Sequence, residues 1–389
     1  MTAPVRVAVI GTGFAARAHL DALRRVGGAE VAAVIGSDPA RARAVADEFG
    51  VPGTSAELTA VLQDDTVDAV HNCTANDQHL PANLAALRAG KHVLSEKPLA
   101  LNSDDTAVLA TAAEQADRVA AVCFTYRHYP MIAQGRAELA DAGPAHLVHG
   151  GYQQDWLLFD DDYNWRIDPA VGGPLRAVAD IGSHWIDLIQ HMTGDRVTEV
   201  LADLGQLHPV RRRPTGSVQT FAAAGEGETE PVQVTTEDFA TVLLRFASGM
   251  RGACSVSQVC AGHKNRLEFV IEASRSSYGW NQEEPNTLHI GHRDRPNTQL
   301  LRDLAHLAPP AAAMTRYPAG HPEGWPDALR NQVADFHRAI RAHRDGDGAP
   351  HTIATFAQAH QVMLVCDAIG ASARDGVWTS VPTTTGSEP

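Results

Sequence analysis

The chain has 389 residues, 44% hydrophobic and 20% charged, which is the composition of an ordinary globular protein long enough for two domains. A formal charge of −14 repels nucleic acid and anionic membranes, so neither is expected as a partner. Five scattered cysteines without a CxxC pair argue against a disulfide framework or a zinc site, and no metal is expected.

The N-terminus enters a strand within a few residues, and no apolar run is long enough for a bilayer; a reducing cytoplasm is the expected setting. Val5 to Ile10 reads as a strand ended by Gly11, followed by a helix from Phe14 to Val26 that Gly27-Gly28 stops. Val31 to Ile35 is the second strand. A helix over Pro39 to Phe49 starts after Asp38 and ends at Gly50. Strands follow at Ala69 to Cys73, His92 to Ser95 and Arg118 to Phe124, with helices over Leu80 to Ala89 and Ser103 to Ala116 between them. Cys73 and Cys123 lie in apolar runs and read as buried, inert thiols. Alternation of this kind predicts a doubly wound parallel sheet.

Past residue 126 the pattern changes. Val148 to Trp156, Val197 to Leu204, Asp238 to Phe246, Gly252 to Val259 and Leu267 to Glu272 read as strands of a large, mostly antiparallel open sheet. Helices are expected over Gly182 to Met192, Ala328 to His343 and Thr355 to Ala373. The expected division is 1–126 and 127–389, an α/β domain followed by an α+β domain. Arg211-Arg212-Arg213 reads as a solvated loop, Gly216 to Pro231 as a mobile loop, and the end from Thr383 as a frayed tail.

Gly11-Thr12-Gly13-Phe14-Ala15-Ala16 fits G-x-G-x-x-G/A between a strand and a helix. Gly11 permits the tight turn, Gly13 lets backbone approach a pyrophosphate, and the helix N-terminus favours the phosphates. NAD or NADP is therefore expected, held by Gly11, Thr12, Gly13, Phe14 and Ala15. At the second strand's end, Gly36 stands where an acid would select NAD, while Ser37 and Arg41 suit a 2′-phosphate. Asp38 can cap the next helix or reach the ribose itself. The balance leans to NADP.

Two further segments carry chemistry. Ser95-Glu96-Lys97-Pro98 ends a strand, and Asp180-Ile181-Gly182-Ser183-His184-Trp185-Ile186-Asp187 opens a helix as D-x-G-x-H-x-x-D. Oxidation of a secondary alcohol needs a donor for the developing alkoxide and a base near neutral pH, which Lys97 and His184 can supply. With the glycine loop, these motifs resemble the glucose-fructose oxidoreductase, inositol dehydrogenase and rhizopine-catabolism (Gfo/Idh/MocA) family, near its levoglucosan-dehydrogenase-like sugar-oxidising members, over Val5 to about Val381. The resemblance implies an N-terminal Rossmann domain and an NAD(P)-dependent sugar or polyol dehydrogenase. It implies Lys97 at the reacting oxygen, His184 as base, Asp180 orienting substrate and histidine, and a cis Pro98. It also implies that Cys73, Thr74, Asn76, Glu96, Lys97 and Tyr126 line the cofactor. His79 is either a ligand or a structural histidine.

For substrate, Lys97, Gln154, Trp156, Trp165, Arg166, Asp180 and His184 are the candidates, with His321 in a Pro- and Gly-rich loop and Arg176 among the polar groups nearby. Trp185 reads as filler between sheet and helix. Many hydroxyl partners without a basic cluster suggest a neutral polyhydroxy substrate. Two alternatives remain at this level: a redox-neutral enzyme that cleaves a glycoside with retained NAD, and a non-catalytic nucleotide-binding regulator. The open sheet suggests a homodimer or homotetramer.

Overall fold

Val5–Ile10 (β1), Ala29–Ile35 (β2), Gly53–Ser55 (β3), Ala69–Asn72 (β4), His92–Ser95 (β5) and Ala120–Val122 (β6) pair in the order β3-β2-β1-β4-β5-β6, every pair parallel. Phe14–Arg24 (α1), Pro39–Glu48 (α2), Leu58–Leu62 (α3), His79–Arg88 (α4) and Ser103–Ala116 (α5) connect them. Nearly every side chain of β1, β4 and β5 is buried, which is why these strands read as unbroken apolar runs. In α1 the buried Ala16, His19, Leu20 and Leu23 form one helical stripe. Growth of the sheet reverses between β1 and β4, so a crevice opens at their carboxyl ends. β3 and α3 had no sequence signal: Gly-Thr-Ser shows no apolar alternation, and α3 is only five residues long.

The structure is a computed structural model that describes residues 3–216, 228–347 and 351–383. It divides into two units, Met1–His128 with Trp325–His360, and Tyr129–Gly324 with Gln361–Pro389.

In the second unit Ala145–Gln153 (β7), Val197–Gly205 (β8), Val210–Pro214 (β9), Thr229–Gln233 (β10), Phe239–Phe246 (β11), Arg251–Ser257 (β12), Arg266–Ala273 (β13), Ser277–Asn281 (β14), Thr287–Gly291 (β15) and Thr298–Leu301 (β16) are the strands. The large sheet runs β16-β15-β14-β13-β7-β12-β11-β8, antiparallel at each pair except β7 with β12. Helices Pro130–Leu139 (α6) and Ser183–Thr193 (α8) pack on it, with Pro169–Gly172 (α7) and Pro309–Met314 (α9) as short additions. Alternate residues of β11 and β13 are buried, as a sheet with one covered face requires. The other face leaves Leu147, Phe239 and Leu243 exposed.

β9 and β10 pair as a separate ribbon, which corrects two readings. Arg211 does not lie in a solvated loop. It is a strand residue with no exposure, because Asp238 sits against its guanidinium. Arg212 and Arg213 do lie at the surface, paired with Asp160 and Glu230. The expected loop over Gly216 to Pro231 gives way to strand at Thr229; residues 217–227 and 384–389, the latter within the expected tail, lie outside the described residues.

The chain then runs through Trp325–Asp345 (α10), Ala354–Thr355 (β17), Phe356–Asp375 (α11) and Thr379–Ser380 (β18). β17 adds an antiparallel edge strand to β6, and β18 pairs with β8. Leu329, Val333, Phe336 and Ile340 of α10 sit in the same apolar core as Val5, Val7, Val9 and Leu20. Residues 325–360 thus belong to the first unit, where the sequence reading had assigned them to the C-terminal domain. The first boundary falls after His128. Among the described residues no helix is long and apolar enough to cross a membrane.

Candidate active site

In the first unit the loops after Ile10, Ile35, Asn72 and Ser95 leave the sheet at one edge. Gly11 has φ +118°, and a Cβ there would lie 2.5 Å from the Cys73 carbonyl oxygen, so only glycine fits. Its N–H donates to Ile35 O at 2.8 Å, tying the loop to β2. Gly13 is the N-cap of α1, and a Cβ on it would meet nothing within 4 Å, so the backbone there borders open space. Phe14 is half exposed and stacks on Trp325, centroids 5.7 Å apart. At Gly36 a Cβ would approach the Thr12 methyl to 2.7 Å, which disfavours any larger residue. Asp38 caps α2: its Oδ1 accepts the N–H groups of Ala40 and Arg41 at 2.9 and 3.1 Å. Ser37 and Arg41 are exposed.

The turn that carries Lys97 is braced from behind. The Lys97–Pro98 bond is cis, as the resemblance implied. His79 is fully buried, with Nδ1 2.7 Å from Pro98 O and Nε2 3.1 Å from Thr74 O. Burial lowers its pKa against the pull of those carbonyls. These contacts hold the Lys97–Pro98 turn against the Thr74 turn. Asn72 donates to Asn83 at 2.8 Å, and Asn83 to Ser95 Oγ at 2.9 Å, locking the ends of β4 and β5 together. Lys97 is half-buried, Asn76 and Tyr126 are buried, and Thr74 donates its hydroxyl to Asn72 Oδ1.

Glu96 turns back into the unit. His19 Nε2 lies 3.1 Å from its Oε1, and His19 Nδ1 lies 2.9 Å from His71 Nδ1. Burial opposes the charge on Glu96, yet the contact with His19 and the nearby Lys97 outweigh it and hold the carboxyl at about 2. Burial drives His71 well below its ordinary value, so it is neutral. Cys123 lies 3.6 Å from His19 Nε2 and donates to Gln332 Oε1 at 3.3 Å. Burial pushes the thiols of Cys73 and Cys123 well up, as expected for inert cysteines. Among the described residues His19, Glu96 and Cys123 are the group with ligand-type atoms within 4.8 Å of one another, and direct hydrogen bonds already occupy those atoms.

In the second unit Asp180 is neither an N-cap nor an ordinary helical residue. It lies in a π-turn, Val178–Gly182, that runs into α8. Asp180 and His184 are each 8% exposed. Arg166 donates from Nε to Asp180 Oδ1 at 3.2 Å, and Gln258 from Nε2 to Oδ2 at 2.8 Å. Arg166 also lies over the Trp165 ring, 4.3 Å from its centroid, and donates to Asn164 Oδ1. The His184 ring is tilted against Tyr152, centroids 6.2 Å apart. Gln154 is buried, accepts from Trp156 Nε1 at 2.9 Å and donates to Asn265 Oδ1 at 2.8 Å. Trp185 is 1% exposed and donates to Glu268 O, so it is the filler that was expected.

One expectation changes here. Arg176 is not a pocket residue: it is 1% exposed, paired with Asp238 and bonded to the Glu237 carbonyl. Its backbone N–H and that of Val178 donate to Glu237 Oε1, both at 2.9 Å, which fixes the entry to the π-turn. His321 is exposed in a loop whose carbonyls bond to Arg302, itself buried against Glu323 at 3.1 Å. Sequence reasoning missed Gln258, Glu237 and Asp238, whose strand-like surroundings gave no chemical signal.

Residues 5–124 match the family described as "Oxidoreductase family, NAD-binding Rossmann fold", and residues 136–277 match the GFO/IDH/MocA C-terminal domain. Levoglucosan dehydrogenase of Pseudarthrobacter phenanthrenivorans is 27% identical, covering 97% of this chain and 98% of its own. A solved levoglucosan dehydrogenase in complex with NADH and levoglucosan aligns with TM-score 0.86 at 25% identity, covering 98% and 100%. An oxidoreductase domain protein from Kribbella flavida aligns with TM-score 0.88 at 31% identity, covering 98% and 100%. An inositol dehydrogenase homologue from Azotobacter vinelandii, solved with NADH and myo-inositol, aligns with TM-score 0.84 at 25% identity, covering 98% of each chain. With both domains matched in order and a homologous structure spanning the whole molecule, the chain belongs to the Gfo/Idh/MocA family of NAD-binding oxidoreductases.

Proposed function

We propose that this enzyme oxidises a ring secondary alcohol of a neutral sugar, anhydrosugar or cyclic polyol to the ketone. The observation that carries the reading is the carboxyl edge of the parallel sheet. There the Gly11 loop, the Cys73-Thr74 turn and the Lys97–Pro98 turn follow adjacent strands β1, β4 and β5. Open space at Gly13 and the N-terminus of α1 suit a dinucleotide's pyrophosphate. The nicotinamide, when bound, supplies the hydride acceptor.

Lys97 hydrogen-bonds the reacting oxygen and favours the alkoxide. His184 takes the hydroxyl proton, and Asp180 orients the substrate and the histidine. Arg166 neutralises Asp180, which agrees with a substrate that carries no charge. Gln154, Trp156 and Trp165 offer hydroxyl partners and flat apolar faces, and His321 comes from its loop. The NADP preference rests on Gly36, where no carboxylate is available, and on exposed Ser37 and Arg41, while Asp38 spends its Oδ1 on the helix cap. The relatives solved with NADH and levoglucosan or myo-inositol support the substrate class. The apolar residues Leu147, Phe239 and Leu243 on the open sheet face support a homodimer or homotetramer, and a cytoplasmic location fits the buried thiols.

The test is a panel of sugars, anhydrosugars and inositols assayed with NAD and NADP. Lys97→Met and His184→Ala are each expected to lose about a thousandfold in kcat while retaining dinucleotide affinity. Full activity in either variant removes the role assigned to that residue. Turnover without net reduction of the dinucleotide removes the dehydrogenase reading.

A further inference from the structure

We propose that Gln258 is a positioning residue of this enzyme: its side-chain amide and the Arg166 guanidinium grip the two oxygens of Asp180 from opposite ends and set the carboxylate's direction. The inference rests on the role given to Asp180 above. Arg166 Nε stands 3.2 Å from Oδ1 and Gln258 Nε2 2.8 Å from Oδ2. With both oxygens engaged, the carboxylate cannot rotate about its own bond without breaking a hydrogen bond.

Gln258 is itself fixed. It has no solvent exposure, its N–H donates to Asp238 O at 3.0 Å, and its carbonyl accepts from Leu157 N at 3.2 Å. The carboxylate decides which end of the amide faces it, since Oε1 turned inward would meet like charge. Oε1 is then left buried without a hydrogen-bond partner. Folding does not favour such an atom. A leucine would fill the space without it. What the amide contributes in place of a leucine is therefore the bond from Nε2 to Asp180.

The residue type matters as well. A lysine or arginine would add a second cation beside Arg166. A hydroxyl would be too short to span from the end of β12. Glutamine gives one neutral donor whose proton does not titrate, so the grip holds at every working pH. The backbone around Asp180 is held by a separate device, the Glu237 carboxylate on the N–H groups of Arg176 and Val178. The carboxylate's direction is thus a separate variable, controlled by side chains alone.

The experiment compares wild type, Asp180→Asn, Gln258→Leu and Gln258→Glu in kcat, KM and pH profile on the best substrate of the panel, with dinucleotide affinity and thermal unfolding as controls. Gln258→Leu is expected to lower kcat/KM about tenfold to a hundredfold, as removal of one donor to a charged group does, with dinucleotide affinity unchanged. Gln258→Glu places a second carboxyl against Oδ2. While protonated it donates as the amide does; once the shared proton leaves, the two carboxylates repel. Its kcat/KM should therefore approach wild type at low pH and fall as pH rises, along a limb that wild type and Gln258→Leu lack. That limb is a readout which lost packing would not produce. If Asp180→Asn is impaired while both Gln258 variants keep wild-type kinetics and pH profile, the proposal is overturned and the function stands. If Asp180→Asn is fully active, the proposal falls together with the role of Asp180.

Discussion

At the loop after β1, geometry is decided by backbone: Gly11 takes a φ open to glycine, and the Cys73 carbonyl leaves no room for a Cβ. At Asp180 it is decided by side chains from three separate stretches, with Arg166, Glu237 and Gln258 converging on a π-turn and Asp238, next to Glu237, paired with Arg176. The first arrangement has no room for an added methyl group. The second depends on each of its side-chain partners. The difference matters because a site built from backbone travels with a short motif, whereas one built from tertiary contacts has to be assembled by the whole fold.

Asp238→Asn should break the second arrangement most severely. Asp238 faces Arg176 and Arg211 with no exposure, and those cations outweigh burial and lower its pKa. Loss of its charge leaves two buried guanidinium groups short of an anion, so unfolding free energy should drop by about 3–5 kcal/mol. A midpoint in denaturant equal to wild type would show that the cluster is not stabilising.

Gly11→Ala tests the first arrangement. The strained φ and the clash with Cys73 O should cost about 1–3 kcal/mol of stability and weaken dinucleotide binding, both measurable by titration and melting. Unchanged affinity would mean that the loop adapts.

His337→Leu gives the smallest effect at neutral pH. Both ring nitrogens of His337 are buried without partners, and burial lowers its pKa to about 3. The unfolded ring binds a proton below about 6.5, but the folded ring stays neutral down to about 3. The native state therefore loses stability as pH falls through that window. The variant should gain on wild type by about 1 kcal/mol per pH unit below 6, read from unfolding curves at several pH values. A difference that does not vary with pH would rule out a neutral, buried His337.

The same contrast explains what could be read in advance. Elements with one strong period were plain: β5 and α5 fall at the expected residues, and the G-x-G loop sits between β1 and α1. The two chemical motifs were visible because each is contiguous. Three basic residues in a row suggested solvent, since nothing local tells Arg211 apart from its neighbours; only Asp238, far along the chain, buries it. Gln258 looked like any strand residue for the same reason. The π-turn was not foreseeable either: the Glu237 carboxylate that holds the backbone N–H groups at its entry comes from another segment.

The position of α10 bears on biosynthesis. Its apolar stripe completes the interior that β1 and α1 begin, yet about 200 residues intervene between His128 and Trp325. During translation the nascent nucleotide-binding half must wait, one flank bare, until the residues of α10 have left the ribosome as well. A fragment cut after the last parallel strand would keep the glycine loop but lack this cover, and excising that half as a free-standing module requires grafting the late helix back on.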